Sequence, residues 1–354
     1  MLTLARIPTE IWREITTLAC TDGGFTGRSL ALASKFFHSQ SLSTRFHSLL
    51  FDSLQRIEDF LAFLRLQPED CKPRIAHLYL SFANEPVSSK PHLYLVYTSM
   101  SPDARAEYDA KAKAAKALWD ERFCHTTAAL LTLAAPALKT LCLVEDCLLL
   151  PLEFHCTFPR LEELSWKGYI QGLLPANLAL YDSPLKFPAL KRIHFMGYGK
   201  AEVVRALSKA VSSSLMHLRI SQIHAADHEL PDALAHALGI PTPSLAAKDE
   251  DDAVGDPSSG RRAVAATLPR LHNVTVHCTA DSSGWCGHNS TTWNRFLDRF
   301  EMLARICEQR PDSTSVVLFT SPGRRKFRWP DRLLDDWIDR IEGRPGCWVR
   351  SKEE

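Results

Sequence analysis

The segments "PRLEELSW" (159–166) and "PALKRIHF" (188–195) are two copies of one pattern. It reads Pro or a small residue, any residue, Leu, two polar residues, an apolar residue, any residue, an apolar residue. It recurs as "PALKTLCL" (136–143), "SSLMHLRI" (213–220) and "PRLHNVTV" (269–276), and "PRIAHLYL" (73–80) fits with Ile in place of Leu. The steps from Leu138 to Leu161, Leu190 and Leu215 are about 23, 29 and 25 residues, a spacing typical of repeated supersecondary units. "SWKGY" (165–169) and "HFMGY" (194–198) extend the agreement to a shared glycine. Within a unit, the Leu and the two alternating apolar residues point into a core, while the residues between them point to the other face of a short strand. One unit cannot bury its apolar face alone, so the units must stack. A non-repetitive α/β domain with several similar strands is the other architecture the pattern allows.

Composition narrows the class. The chain has 354 residues and is 45% hydrophobic, ample for a packed core and for more than one domain. Its 42 basic and 41 acidic residues leave a net charge of +1, so no global field draws it to nucleic acid or to an anionic membrane. The opening "MLTLARIPTEIW" has no apolar signal core, and no run of about 18 apolar residues predicts a membrane span. The ten cysteines are scattered, without the dense spacing of a secreted disulfide scaffold. These features predict an intracellular protein, cytoplasmic or nuclear.

Upstream of the repeats lies a helical unit. Pro8 suits a helix start and Glu10 places negative charge in the first turn. Ile11, Ile15 and Leu18 recur at helical spacing as one apolar stripe, which Trp12 and Ala19 widen. Asp22-Gly23-Gly24 stops this helix, and Thr26 or Ser29 is placed to cap a second one carrying Leu30, Ala33 and Phe37. A third segment carries Leu42, Phe46, Leu49 and Leu50. Three helices of roughly ten residues make too small a core to shield Trp12, Phe36 and Phe37 fully, which predicts an apolar surface for a partner.

The run "IPTEIWREI" (7–15) resembles the opening of an F-box: an apolar residue, Pro, then an acidic–apolar–apolar helix. "SLALASKFFHS" (29–39) resembles its second segment, and "RFHSLLF" (45–51) the tail that follows in many fungal members. The resemblance implies an F-box over residues 1–50, docking through an apolar interface onto the Skp-type adaptor of cullin–RING ubiquitin ligases. By position, Pro8, Ile11, Trp12, Ile15, Leu30, Ser34 and Phe37 would make that contact. The link "CTDGGFTGRS" (20–29) departs from the family, being longer and glycine-rich where a short acidic link is usual.

Residues 73–354 resemble the divergent leucine-rich repeats that often follow an F-box, with a linker helix within 51–72 between the two. They depart from the pattern at the ladder position, where Asp146, Tyr169, Tyr198, Ile223 and Thr279 stand in place of Asn. The fold expected is α/β: a small helical F-box, then a leucine-rich-repeat-like solenoid with a helical C-terminal cap. In that register Glu163, Ser165, Lys167, Arg192, His194, His217, Arg219, Asn273, Thr275 and His277 face outward. They form a mildly basic concave strip suited to an acidic or phosphorylated target. The function implied is a substrate-recognition subunit that supplies proximity rather than chemistry. A non-degradative scaffold bound to the same adaptor is the alternative.

Other segments fill in the plan. "SLQRIEDFLAFLRL" (53–66) is a helix closed by Pro68. Residues 101–122 form an exposed, Ala-rich helix packed through Tyr108, Leu118 and Trp119, and residues 243–262 read as a disordered acidic loop. Trp293, Phe296, Leu297, Phe300, Leu303 and Cys307 mark a helix, "TSVVLF" (314–319) a strand, and Leu333, Leu334, Trp337 and Ile341 a last helix ended by Gly343. No cofactor or metal is expected. Cys142, Cys147, His155 and Cys156 lack paired C-x-x-C spacing. Cys278, Cys286 and His288 lie in a Gly/Ser loop, where Cys286 is the one candidate for a thiol enzyme. "GRRKFRW" (323–329) mixes basic and aromatic residues but is too short and isolated to predict a nucleic-acid surface.

Overall fold

The computed structural model describes residues 7–42, 44–68, 73–82, 100–145, 156–169, 187–210, 214–223, 227–240, 268–278, 290–310, 314–320 and 329–348. The chain begins with helices α1 (Thr9–Ala19), α2 (Phe25–Ala33) and α3 (Lys35–Ser41), then strand β1 (Ser48–Phe51), helix α4 (Leu54–Arg65), strand β2 (His77–Ser81) and helix α5 (Pro102–Ala134). Strands β3 (Thr140–Val144), β4 (Glu163–Tyr169) and β5 (Arg192–Tyr198) follow, then α6 (Lys200–Ala210), β6 (His217–Ile223), α7 (Leu230–Ala237) and β7 (Asn273–Cys278). Helix α8 (Ser290–Glu308), strand β8 (Ser315–Thr320), helix α9 (Trp329–Ile341) and a 3-10 turn (Gly346–Trp348) complete it. The architecture is α/β, with a parallel sheet of eight strands whose neighbours follow chain order from β1 to β8. Parallel neighbours require crossovers. A sheet in chain order is what repeated strand–crossover units produce when each lays its strand beside the last.

The repeated segments explain why each rung starts alike. Pro159, Pro188 and Pro269 sit in turns where the amides of Leu161, Leu190 and Leu271 donate to the carbonyls of Phe158, Phe187 and Leu268, at 3.4, 3.3 and 3.1 Å. Proline presets φ for the second position of such a turn, and its missing N–H is not needed there. The apolar residue before each Pro and the Leu after it are buried. One carbonyl of each rung then accepts two successive amides of the next: His47 from Ala76 and His77, Ala76 from Lys139 and Thr140, Lys191 from Met216 and His217, Met216 from His272 and Asn273.

The chain forms two compact units. One comprises Met1–Leu161, Lys167–Tyr181 and Arg328–Cys347; the other comprises Glu162–Trp166, Asp182–Phe327 and Trp348–Glu354. In the first, Ser48 pairs with His77 and His77 with Thr140. Leu49, Phe51, Leu78, Leu80, Leu141 and Leu143 alternate onto one buried face. Ile57 of α4 and Phe123, Leu130 and Leu131 of α5 are buried as well, Phe123 edge-on to Phe82 at 4.8 Å. Helix α5 runs for 33 residues, well past the charged stretch that signals it. Ser101 caps it by accepting from the Ala104 amide. Leu118 is exposed rather than packed, and burial begins at Trp119.

Two expectations for this unit need correction. The helix expected to carry Leu30, Ala33 and Phe37 breaks at the extended Ser34 into α2 and α3. The segment with Leu42, Phe46, Leu49 and Leu50 is no third helix, since α3 ends at Ser41 and Ser48–Phe51 is the first strand of the sheet. Local contacts decide this. The Ser48 hydroxyl donates to the Cys20 carbonyl at 2.7 Å and accepts from the Gly23 amide at 3.0 Å, while the Leu50 amide donates to the Gly23 carbonyl at 3.2 Å. The link between α1 and α2 thereby holds β1 extended. Asp22, not Thr26 or Ser29, serves the start of α2, accepting from the Thr26 amide at 2.8 Å. The glycine in α2 is a packing requirement, since a Cβ on Gly27 would lie 2.2 Å from the Arg45 carbonyl oxygen. The second correction concerns α9. Its stripe of Leu333, Trp337 and Ile341 is buried. However, it does not cap the end of a stack. It packs on β2 and β3, with Trp337 5.6 Å from Tyr79. Tyr79 alternates with Leu78 and Leu80, so α9 covers the face opposite the leucines. Tyr79, Cys142 and Val144, all buried, make that face apolar enough to receive it.

In the second unit Arg192, His217, Asn273 and Ser315 stand in register on β5 to β8. Ile193, Phe195, Leu218, Ile220, Val274 and Val276 alternate inward. Val203, Val204 and Leu207 of α6, Leu230 and Leu234 of α7, and Phe296, Phe300 and Leu303 of α8 are buried too. A register shift after Ser221, with Gln222 at φ 59°, brings Ile223 opposite Cys278. The acidic loop at 243–262, Asp146, Cys147, His155, Thr279, Cys286, His288 and the basic residues of "GRRKFRW" lie outside the described residues.

Candidate functional site

Helix α1 has two faces. Trp12 is 9% exposed and lies edge-on to Phe36 at 5.7 Å and Phe37 at 5.4 Å. One turn on, Thr16 is buried and its hydroxyl accepts from Thr44 at 3.0 Å. This Trp12–Thr16 line anchors α1 to the rest of the unit. On the other side Ile11 and Ile15 are each 44% exposed and Leu18 is 75% exposed. An outward apolar line at i, i+4 and i+7 on an amphipathic helix is unusual unless something covers it.

The remaining residues of the predicted adaptor contact are distributed as follows. Pro8 is exposed at the start of α1. Ser34 is exposed and caps α3, accepting from the Phe37 amide at 3.2 Å. Leu30 and Phe37 are half-buried. Trp12 is therefore a core anchor of the helical unit rather than part of its outward stripe. Phe25 and Leu32 of α2, 76% and 78% exposed, are apolar surface residues that the sequence reading missed. A helical-wheel count could have found Leu32, which falls off the Leu30–Ala33–Phe37 line.

The second candidate surface is the polar strand face of the second unit. Glu163, Arg192, His194, His217, Arg219, Asn273, Thr275 and His277 share it by alternation and register. It is not the open strip expected. His194, Arg219, His277 and Glu163 are buried, Ser165, Arg192, His217 and Thr275 are half-buried, and Asn273 is exposed, while Lys167, also half-buried, belongs to the first unit. The groups hold one another: Arg192 pairs with Glu163 at 3.6 Å, His194 Nε2 bonds the Ser221 hydroxyl at 3.0 Å, and Asn273 Nδ2 bonds His217 Nδ1 at 3.2 Å. The Trp348 indole donates to Glu163 Oε1 at 2.9 Å, and its ring lies 6.3 Å from His194 and 6.1 Å from His217. Buried polar groups need such partners. Alternation alone does not reveal them, because the covering residue is more than 180 positions away in sequence.

Of Cys278, Cys286 and His288, Cys278 lies among the described residues. It is buried at the end of β7, and burial, reinforced by Asp227, pushes its thiol up to about 12. Lys200, buried at the start of α6, holds Asp227 at 2.8 Å. Burial lowers the Lys200 pKa, and the Asp227 carboxylate opposes that. This is a buried structural ion pair rather than an activated base. Cys142 is buried within β3, and Cys156 is half-buried.

Comparison with known proteins finds no matching family model, no matching curated protein and no matching solved structure. Among the described residues no helix is long and apolar enough to cross a membrane.

Proposed function

We propose that this chain is the substrate-recognition subunit of a Skp–cullin–F-box type ubiquitin ligase. Helices α1 to α3 dock on a Skp-type adaptor, and the polar strand face of the second unit receives a target protein. The observation that carries this reading is the outward line of Ile11, Ile15 and Leu18. Fully burying an exposed Leu or Ile is worth roughly 1.5–3 kcal/mol; Ile11 and Ile15 are 44% exposed and Leu18 75%, so covering each yields about 1–2 kcal/mol before association costs. The strand-built second unit offers a target the exposed and half-buried residues of its polar face, Ser165, Arg192, His217, Asn273 and Thr275. Transfer chemistry belongs to the other subunits. This chain contributes proximity, raising the local concentration of target lysines near the transfer machinery. The specifically leucine-rich-repeat character of the sheet belongs to the same proposal, supported by the recurring Pro-x-Leu turn and the sequential strand order.

The test is co-purification with a Skp-type adaptor, comparing the wild type with a Pro8→Ala plus Ile11→Asp variant. Both positions are exposed, so the variant should keep the wild-type melting temperature within a few degrees while losing the adaptor. A folded wild type that does not retain the adaptor would remove the proposal.

A further inference from the structure

The first unit gathers basic groups at the start of its strands without a carboxylate to balance them. His77 opens β2, His47 immediately precedes β1, and their rings stand 5.1 Å apart. Thr140 is the register partner of His77 on β3, and its hydroxyl lies 2.9 Å from His77 Nδ1. Lys139, one residue earlier, acts on both rings, and Arg340 of α9 acts on His77. Every charged group that acts on the two imidazoles is thus basic, and burial joins these groups in keeping the rings neutral. The acids on the same turns of α9 are engaged elsewhere: Asp339 and Glu342 hold Arg344, and Asp336 lies 4.0 Å from Arg332. Asp22, in the link that holds β1, accepts from the Thr26 amide at the start of α2. Lys139 is exposed and, among the described residues, pairs with no carboxylate. Assembling like charges costs free energy that an anion offsets when it binds among them.

We propose that His47, His77, Lys139 and Arg340 form a binding site for a tetrahedral dianion of the phosphate or sulfate type, which is taken up together with a solvent proton on the histidine pair. Both rings are half-buried, so they are partly open to a ligand. A Thr140 hydroxyl that donates to Nδ1 leaves the His77 proton on Nε2, where it can be given to the ion. Donors brought in by different elements suit an ion with acceptors on all sides, whereas a planar, singly charged carboxylate meets fewer of them. A negative charge beside the rings favours their protonated form, and by reciprocity protonation favours the anion equally. The proposal is independent of the ligase reading.

The experiment titrates the full chain, isotope-labelled at histidine, with sodium sulfate against sodium chloride at constant ionic strength, following the ring signals by NMR. Sulfate stays divalent at pH 7.0 and pH 6.0, so a change in its affinity between them reports protons taken up by the protein. The His47 and His77 signals are expected to move saturably, with sulfate bound about fivefold more tightly at pH 6.0, tenfold being the ceiling for one proton. Lys139→Gln, at an exposed position, is expected to weaken sulfate about tenfold. Ring signals that respond no more to sulfate than to chloride overturn the site, and so does undiminished binding in Lys139→Gln. Equal affinity at the two pH values overturns the coupled proton. Acetate that binds as tightly as sulfate overturns the preference for a tetrahedral dianion. Inorganic phosphate and phenyl phosphate then separate the sources: equal binding of the two supports a phosphate monoester as ligand, and exclusion of phenyl phosphate supports the free ion.

Discussion

The His47–His77 pair makes the first unit sensitive to acid in a calculable way. His77 opens β2, its ring 5.1 Å from that of His47 and its Nδ1 2.9 Å from the Thr140 hydroxyl. Burial, then the nearby His47, Lys139 and Arg340, pull its pKa from 6.5 down to about 3. A group whose pKa falls on folding takes up its proton more readily in the unfolded chain, so acid favours unfolding. The stability tied to His77 is complete above pH 6.5 and is lost as the pH falls toward 3. At pH 5 the loss is about 2 kcal/mol, taking 1.36 kcal/mol for each pH unit below the unfolded pKa. His47 is shifted in the same direction, by burial and by Lys139, so the perturbation must isolate His77. His77→Gln does this, retaining a polar side chain for Thr140 while removing the titration. Urea unfolding of both proteins at pH 7.5 and pH 5.0 gives the double difference. With a slope of ~3 kcal/mol per molar, the wild-type midpoint should fall by about 0.7 M more than that of the variant. Identical shifts in the two proteins would refute the reasoning. So would an NMR titration placing His77 near its ordinary value.

Two further outcomes follow from packing and charge. Trp12→Ala should destabilise the helical unit by about 3–5 kcal/mol by opening the ring cluster with Phe36 and Phe37, whereas Ile11→Asp should change stability by no more than ~0.5 kcal/mol. Thermal unfolding separates the two, and equal effects would contradict the two-faced reading of α1. Lys200→Met leaves Asp227 without its buried partner and should cost about 3–5 kcal/mol, most of it recovered in Lys200→Met plus Asp227→Asn. A double variant no more stable than the single one would show that the ion pair is not what links α6 to the residues after β6.

The repeats were legible because backbone chemistry forces their signature. Each rung needs a turn whose second residue tolerates proline, a buried Leu to follow, and alternation along the strand, and all three are written locally in segments such as "PALKRIHF". The apolar residue before the proline belongs to the same unit, as Phe158, Phe187 and Leu268 show. What was not legible depends on distant partners. "SLLF" (48–51) has the composition of a helix end, yet Cys20 and Gly23 hold its backbone extended. The stripe on α9 announces burial but not its address, which turns on Tyr79 and Cys142 making the second face of β2 and β3 apolar. The strand face of the second unit failed as an open strip for the same reason. Arg219 and His277 alternate outward as expected, and whether an outward residue meets water is settled by another part of the chain.

The same limit explains why α1 was only half readable. Its large apolar residues span roughly a third of the helix circumference, with Trp12 on a line with Thr16 at one edge and Ile11, Ile15 and Leu18 on the line beside it. Successive residues on a helix stand about 100° apart, so Ile11 and Trp12 cannot both face the same neighbour fully. Sequence shows that one line must be left out, but hydrophobicity does not rank them. Size does. A Trp covers more area per rotamer than an Ile and makes directed ring contacts with other aromatics, and Phe36 and Phe37 on α3 supply such rings. Trp12 therefore turns inward, and the aliphatic line is left at the surface. A short helical unit closed by one three-ring cluster exposes its branched side chains together. That is the surface a partner helix would require, and it makes Ile11→Asp a test of binding rather than of folding.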